Sequence, residues 1–335
     1  MEKLTTEKRA SILRCLVEGN SVASTTRMTG AAKNSILKLV VQAGQACEDY
    51  QDKHMMNLPC KVIELDEIWS FVGCKEKAKA SAKQKHEGDV WTWTSLCADT
   101  KLIPCWHVGE RSLAVAIEFC YDLAKRMPNQ VQITTDGLAS YEFAVGTSFG
   151  DVDFAQLVKI YAKGEDGFER CVGSRKVVRQ GSPDMSRVST SYVERSNLTM
   201  RMQNRRFTRL TNGFSKKLEN HCHMMAISFM SYNYCRKHQS LKETPVQAAE
   251  LDKHRWTMEE VVEMTDAYQQ AQQTRAFEEA FLKLTRASTT PKTHEPVEPL
   301  TPWYLDPESG GPNPEHKKPG IAYDLTQDQS GFDFP

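Results

Sequence analysis

Val62-Ile63-Glu64-Leu65-Asp66-Glu67-Ile68-Trp69-Ser70-Phe71-Val72 is an apolar run interrupted by acids. Its β-branched and aromatic residues are those of a strand buried in a sheet. Cys60 to Val72 therefore reads as a first strand, with Asp66 ending the apolar stretch Val62–Leu65. A carboxylate at the end of a buried strand is expected to face a cleft, where it needs a partner. Glu67, its neighbour, should point to the opposite face.

Outward from this stretch, Gly73 to Gly88 is a lysine-rich loop containing Lys75, Lys77, Lys79, Lys83 and Lys85. Val90–Cys97 alternates as a half-buried second strand and Leu102–Val108 reads as a third, so the first three strands form a meander. Leu113–Arg126 is an amphipathic helix with Leu113, Ile117, Cys120, Tyr121 and Ala124 as its apolar face. Val131–Thr135 is a fourth strand ending at Asp136-Gly137, followed by a short helix from Ala139 to Val145. A weaker fifth strand runs from Phe154 to Ile160. Three strands, a helix, a strand, a helix and a fifth strand predict an α/β domain with an RNase H-like mixed five-stranded sheet flanked by helices, over residues 59–251.

Gly164–Ser191 is polar and aperiodic and reads as a mobile loop, with Arg170, Arg175, Lys176 and Arg179 available for phosphates. Thr190–Thr208 is a basic helix bearing Glu194. Leu218–Cys235 is a mostly apolar helix whose Met224, Met225, Ile227, Phe229 and Met230 read as core. Its His221-Cys222-His223 reads as packing rather than a metal pair, because positions i and i+2 diverge around a helix.

Before the sheet, three helices are expected over residues 1–50: Thr5–Glu18, a second capped by Ser21 and running to Met28, and Ala31–Val41. A short helix, a glycine-containing turn at Thr29-Gly30 and a second helix outline a helix-turn-helix. Lys33, Asn34 and Ser35 would open its recognition helix. Gln45–Asn57 reads as a linker or an extension of the third helix, with residues 51–58 set as the linker between domains; 252–287 reads as a helical segment, and 288–335 as a disordered acidic, proline-rich tail.

A formal net charge of zero conceals segregation. Arg187–Lys242 holds eleven Lys or Arg against two acids, and from Glu243 onward seventeen acids oppose eight bases. That pattern predicts a polyanion-binding face beside an acidic tail. The ten cysteines include no Cys-x-x-Cys, which argues against a zinc ribbon and fits reduced thiols in the cytoplasm. No apolar stretch is long enough for a membrane span, and no signal-peptide core is apparent at the N-terminus.

Asp66, Asp136 and Glu194 together suggest one chemistry. Three converging carboxylates repel one another unless a divalent cation lies between them. Mg²⁺, or Mn²⁺, is a hard ion that takes oxygen ligands, and two such ions can activate the attacking oxygen and stabilise the leaving oxygen of a phosphodiester. Asp66 is the expected bridging ligand, with Asp136 on one ion and Glu194 on the other. Arg195, Arg201, Arg205 and Arg206, beside or beyond Glu194, would hold phosphates near the ions.

The same residues resemble a family. Leu65-Asp66-Glu67-Ile68-Trp69-Ser70-Phe71-Val72-Gly73 is similar to the first-aspartate motif of transposases of the insertion-sequence-one group. Thr134-Thr135-Asp136-Gly137 with Tyr141 resembles their second-aspartate segment. Tyr192-Val193-Glu194-Arg195-Ser196-Asn197-Leu198, with Arg201 downstream, resembles the helix bearing the glutamate. Tyr232–His238, then Leu241 and Thr244-Pro245, resembles a closing segment of DDE transposases and integrases. The acids are separated by 70 and 58 residues. This resemblance spans roughly Pro59–Leu251 and implies a DDE recombinase that cleaves and joins double-stranded DNA at element ends with two metal ions. It implies a homodimer or higher oligomer on DNA and a nucleoid-associated place in the cytoplasm. Some members carry a cysteine-rich zinc segment that this chain lacks, so end recognition would rest on the helix-turn-helix and basic surfaces. Two other functions fit the same residues: a catalytically silent DNA-binding regulator, or a structure-selective nuclease.

Overall fold

A computed structural model describes residues 4–81, 87–163 and 167–289, the side chains of 79–81 and 284–289 excepted. Met1–Asp266 forms one packed unit, and Ala267–Pro335 a second. The expected tail begins at residue 288 and lies almost wholly outside the described residues, as do Lys83 and Lys85.

β1, Val62–Val72, is the centre of a mixed sheet. β2 (Gly88–Cys97) runs antiparallel beside it and β3 (Trp106–Gly109) antiparallel to β2. On the other side, β4 (Gln132–Asp136) and β5 (Asp153–Lys163) are each parallel to their inner neighbour, and β6 (Glu169–Gln180) closes the edge antiparallel to β5. The order is β3-β2-β1-β4-β5-β6, giving six strands where five were expected. β6 falls within the segment read as a mobile loop. Ten of its twelve residues are exposed, so it lacks the apolar alternation that marks a half-buried strand. Beyond Leu157, β5 has left β4 behind and pairs only with β6, as a two-stranded ribbon.

β3 is shorter than expected. Leu102, Ile103 and Cys105 are buried, but Pro104 has no N–H to give, and regular pairing starts only at Trp106.

α4 (Leu113–Arg126) begins and ends where expected, capped by Ser112. Its buried face is Ala116, Phe119, Cys120 and Leu123, while Leu113 and Tyr121 are exposed. Two apolar stripes compete on this helix, and the one carrying Phe119 faces the sheet, with Phe119 against Trp93. α5 (Ala139–Ser148) packs on α4 and sends Tyr141 to Trp93. The opposite sheet face takes α6 (Ser191–Gln203). The basic helix expected to reach Thr208 stops at Asn204, which turns extended and caps a short 3₁₀ turn, Arg205–Phe207.

α1 (Thr6–Val17) and α2 (Val22–Thr29) carry side-chain caps from Thr5 and Ser21. Gly30, at φ 68°, ends α2 in the left-handed conformation that glycine tolerates best. α3 (Lys33–His54) runs past Val41 through most of the segment read as a linker or helix extension, so the extension is what forms and residues 51–54 are helical. It lies along α7 (Leu218–Met230), which continues as a π-helical turn through Cys235. Asn233 in that turn bonds the backbone N–H and C=O of Ile103, both at 3.0 Å. α8 (Pro245–Ala248) is a single turn with a Thr244–Gln247 capping box, and α9 spans Met258–Thr289.

Candidate functional site

β4 ends at Asp136 while β1 runs on to Val72, and the parallel register pairs Leu65 with Thr135. The next residue on each strand is an aspartate. Asp66 and Asp136 thus stand side by side where the sheet opens, Asp66 within β1 rather than at its end. Burial pushes the Asp66 carboxyl up to about 7, and the neighbouring Glu67 and Asp136 charges push the same way. Asn197 on α6 opposes this by donating to Asp66 Oδ2 at 2.7 Å. Asp136 Oδ1 accepts the Leu138 N–H at 2.9 Å, fixing the turn into α5.

Glu67 occupies the other face. Its Oε1 accepts from Arg111 Nε at 2.6 Å and its Oε2 from Tyr141 at 3.0 Å. Burial raises its pKa, with Asp136 adding to the rise and Arg111 offsetting it.

Glu64 was not singled out in the sequence, yet it sets the position of α6. It is buried, and its Oε2 accepts the N–H groups of Tyr192 and Val193, each at 2.8 Å. A carboxylate here satisfies two orphan donors and meets the positive end of the helix dipole. Burial nonetheless lifts its pKa to about 7. The Lys101 ammonium, also near this corner, sits over the Tyr192 ring at 3.3 Å. The available signal was spacing: a glutamate two residues before Asp66 shares its face.

Glu194, in the first turn of α6, is exposed. Its Oε1 accepts from Lys159 Nζ at 2.9 Å and from Thr190 Oγ1 at 3.1 Å. Asn197 and Arg201 follow at i+3 and i+7 and so share its helix face. Arg201 lies near Asp66: burial and the neighbouring Arg209 charge lower its pKa while Asp66 draws it up, and its Nη1 is enclosed without a hydrogen-bond partner. Among the described residues, no three His, Cys, Asp or Glu side chains are close enough together to hold a metal ion. Asp66 and Asp136 are brought together; Glu194 stands on the same side, turned to Lys159.

The expected DNA-contacting cations are dispersed. Lys33 and Asn34 are exposed and Ser35 half-buried at the start of α3. Lys75 lies 5.9 Å from the Phe71 ring centroid, and Lys77 is exposed on the 3₁₀ turn Glu76–Ser81. Arg175 and Lys176 are exposed on β6, Lys176 donating to the Met185 carbonyl at 2.6 Å. Arg195 is exposed and Arg205 half-buried. Arg206 is turned inward beside His221, its Nε enclosed without a partner, and burial brings its pKa down to about 10. His221 itself is core: its Nδ1 lies 3.2 Å from Ser215 Oγ, and burial holds its pKa near 3.

No helix among the described residues is long and apolar enough to cross a membrane. The chain matches no protein-family model and no curated protein sequence.

Proposed function

We propose that the chain is an RNase H-like DDE transposase that cuts and joins double-stranded DNA at element ends. One observation carries this reading: two aspartates are adjacent where a central strand outruns its parallel neighbour, and the helix bearing Glu194, Asn197 and Arg201 lies across them. The strand order, with β2 antiparallel and β4 and β5 parallel to β1, is compatible with that fold.

The donors suit Mg²⁺ or Mn²⁺. Asp66 and Asp136 offer hard carboxylate oxygens, and their mutual repulsion is what a divalent cation would relieve. Glu194, now paired with Lys159, would be the third residue to hold the ions. When bound, two such ions supply charge stabilisation for the attacking and leaving oxygens. This chain's own residues do the rest. Asn197 orients the Asp66 carboxylate, Asp136 is oriented by the Leu138 N–H, and Arg201 offers a cation to the phosphate. The α3 N-terminus with Lys33, Asn34 and Ser35, and the exposed bases of β6, would hold the duplex, and pairing of two ends would call for a homodimer or larger assembly.

The test is cleavage and strand transfer on an element-end duplex with Mg²⁺ or Mn²⁺. Asp66→Ala, Asp136→Ala and Glu194→Ala should each reduce both steps at least a hundredfold while leaving duplex binding intact. Wild-type rates in all three would reject the assignment. Metal-dependent nicking without joined product would instead identify a nuclease, and specific binding without any cleavage a silent regulator.

A further inference from the structure

A cavity of about 560 Å³ lies on the side of α6 turned away from Asp66. Ser196, Thr199, Met200 and Gln203 form its α6 wall, spaced as one helix face. Glu194, Asn197 and Arg201 occupy the opposite face, so this cavity shares a helix with the acidic site but not its surface. α1, α7 with its π turn and the segment entering α9 supply the remaining walls.

The floor is apolar and buried, from Val17, Ile103 and Met258. Trp256 is a rigid side wall. Its Nε1 donates to Asp252 at 2.7 Å, and its ring packs on Tyr50 and Tyr234 at centroid distances of 4.9 and 5.5 Å. The rim is cationic. Arg14, Arg236 and Arg255 line the cavity against one acid, Glu18. Each guanidinium is steered by an internal acceptor: Glu259 for Arg14, Gln203 Oε1 for Arg236, and the Cys235 carbonyl, at 2.6 Å, for Arg255. The Arg255 bond uses only Nε, so its two terminal amino groups have no protein partner among the described residues.

An apolar lining with the Trp256 ring at one side and guanidinium groups at the rim fits a ligand with a planar ring at one end and an oxyanion at the other. The volume lies within the roughly 300–1,000 Å³ of small-ligand pockets. Guanidinium groups pair with phosphate in two-pronged fashion, which lysine cannot match. We propose that this cavity binds a nucleoside phosphate, with its base against Val17, Met258 and Trp256 and its phosphate at Arg236 and Arg255. The nucleotide could be free or an unpaired residue of a DNA strand. The site stands independently of the reaction proposed above.

The experiment uses the full chain and two probes. Radiolabelled ATP and dAMP report the free ligand by equilibrium dialysis, and a gapped duplex with one unpaired 2-aminopurine reports the strand-borne one by fluorescence. Wild type and Asp66→Asn should bind at least one probe saturably, with Kd below about 1 mM, as expected of a small ligand held by a few good contacts. Arg236→Ala/Arg255→Ala should weaken that binding tenfold or more. Met258→Trp, which fills the floor and keeps every charge, should do the same, with thermal melting confirming that both variants fold. Binding of free nucleotide identifies a nucleotide-responsive protein; binding of the gapped duplex alone identifies the strand as the source. Absence of saturable binding to either probe overturns the proposal, as does binding that survives the Arg236→Ala/Arg255→Ala variant.

Discussion

Asp66 holds a position that costs the fold stability. Its folded-state pKa of about 7 lies above the ordinary 3.8, because burial and the Glu67 and Asp136 charges disfavour ionisation. Between those two values the native state keeps a proton that the unfolded chain has released. Stability is therefore lost as pH rises from about 4 towards 7, and the loss is complete above that range. Asp66→Asn removes the charge and keeps an oxygen to accept from Asn197. In metal-free buffer at pH 8 it should raise the urea-unfolding free energy by about 1–3 kcal/mol, a discounted figure given the partial exposure of the group. The two proteins should converge below about pH 4. A variant less stable than wild type at pH 8 would show that Asp66 is better satisfied than its surroundings indicate. Glu64 and Glu48 are also raised to about 7, but both are present in each protein and cancel from the comparison. Asp66 and Asp136 were legible as acids at the ends of apolar stretches. Glu64 was not, since an acid inside an apolar run gives no sign of which backbone groups it will cap. Lys159 was equally hidden, because only tertiary pairing places it on Glu194.

At the scale of elements, helices with caps and one apolar face were read closely, and the failures have physical causes. Ser21 marks a start that the structure reproduces, and the helix read from Leu113 begins there, capped by Ser112. β6 is exposed on both sides, so hydrogen bonding to β5 defines it and hydrophobic pattern does not. α6 starts with no capping bond from its own Thr190 and borrows Glu64 from β1 instead. Glu64→Ala leaves the Tyr192 and Val193 N–H groups unsatisfied, at a cost of about 1–3 kcal/mol. Hydrogen exchange should quicken at these two amides while the β1 amides stay protected; unchanged exchange there would mean that water or another group caps the helix. α3 meets α7 at Gly44, where an added Cβ would lie 2.3 Å from His223 Cβ and 2.6 Å from its Cα. The second contact is backbone and cannot swing away. Gly44→Ala should therefore destabilise by about 1–3 kcal/mol despite alanine's higher helix propensity, read as a lowered urea midpoint. A raised midpoint would mean that the two helices are further apart.

At the scale of the molecule, the sequence shows charge segregation but not how the N-terminal helices attach. The apolar face of α3 has the same pattern whether it covers a small separate bundle or α7. Here α3 runs from Lys33 to His54 and packs on α7, so Met1–Asp266 is continuous. The α3 start bearing Lys33 and the exposed β6 bearing Arg175 and Lys176 are therefore parts of one packed unit, and the proposed function would have a duplex engage both. Binding that depends on phosphate neutralisation weakens with salt, and log K falls against log salt by about 0.9 for each phosphate contact. Lys33→Ala, Arg175→Ala and Lys176→Ala, made singly, should each lower duplex affinity and flatten that slope by about 0.9. Combined, Lys33→Ala and Arg175→Ala should add in their effects on the slope, because the two residues stand on different elements, α3 and β6. Fluorescence anisotropy with a labelled duplex at several salt concentrations measures this directly. An unchanged slope for the β6 variants would confine DNA contact to the N-terminal helices. An unchanged slope for Lys33→Ala would remove the α3 start from the DNA-binding face, leaving the bases on β6 and around α6 to hold the strand.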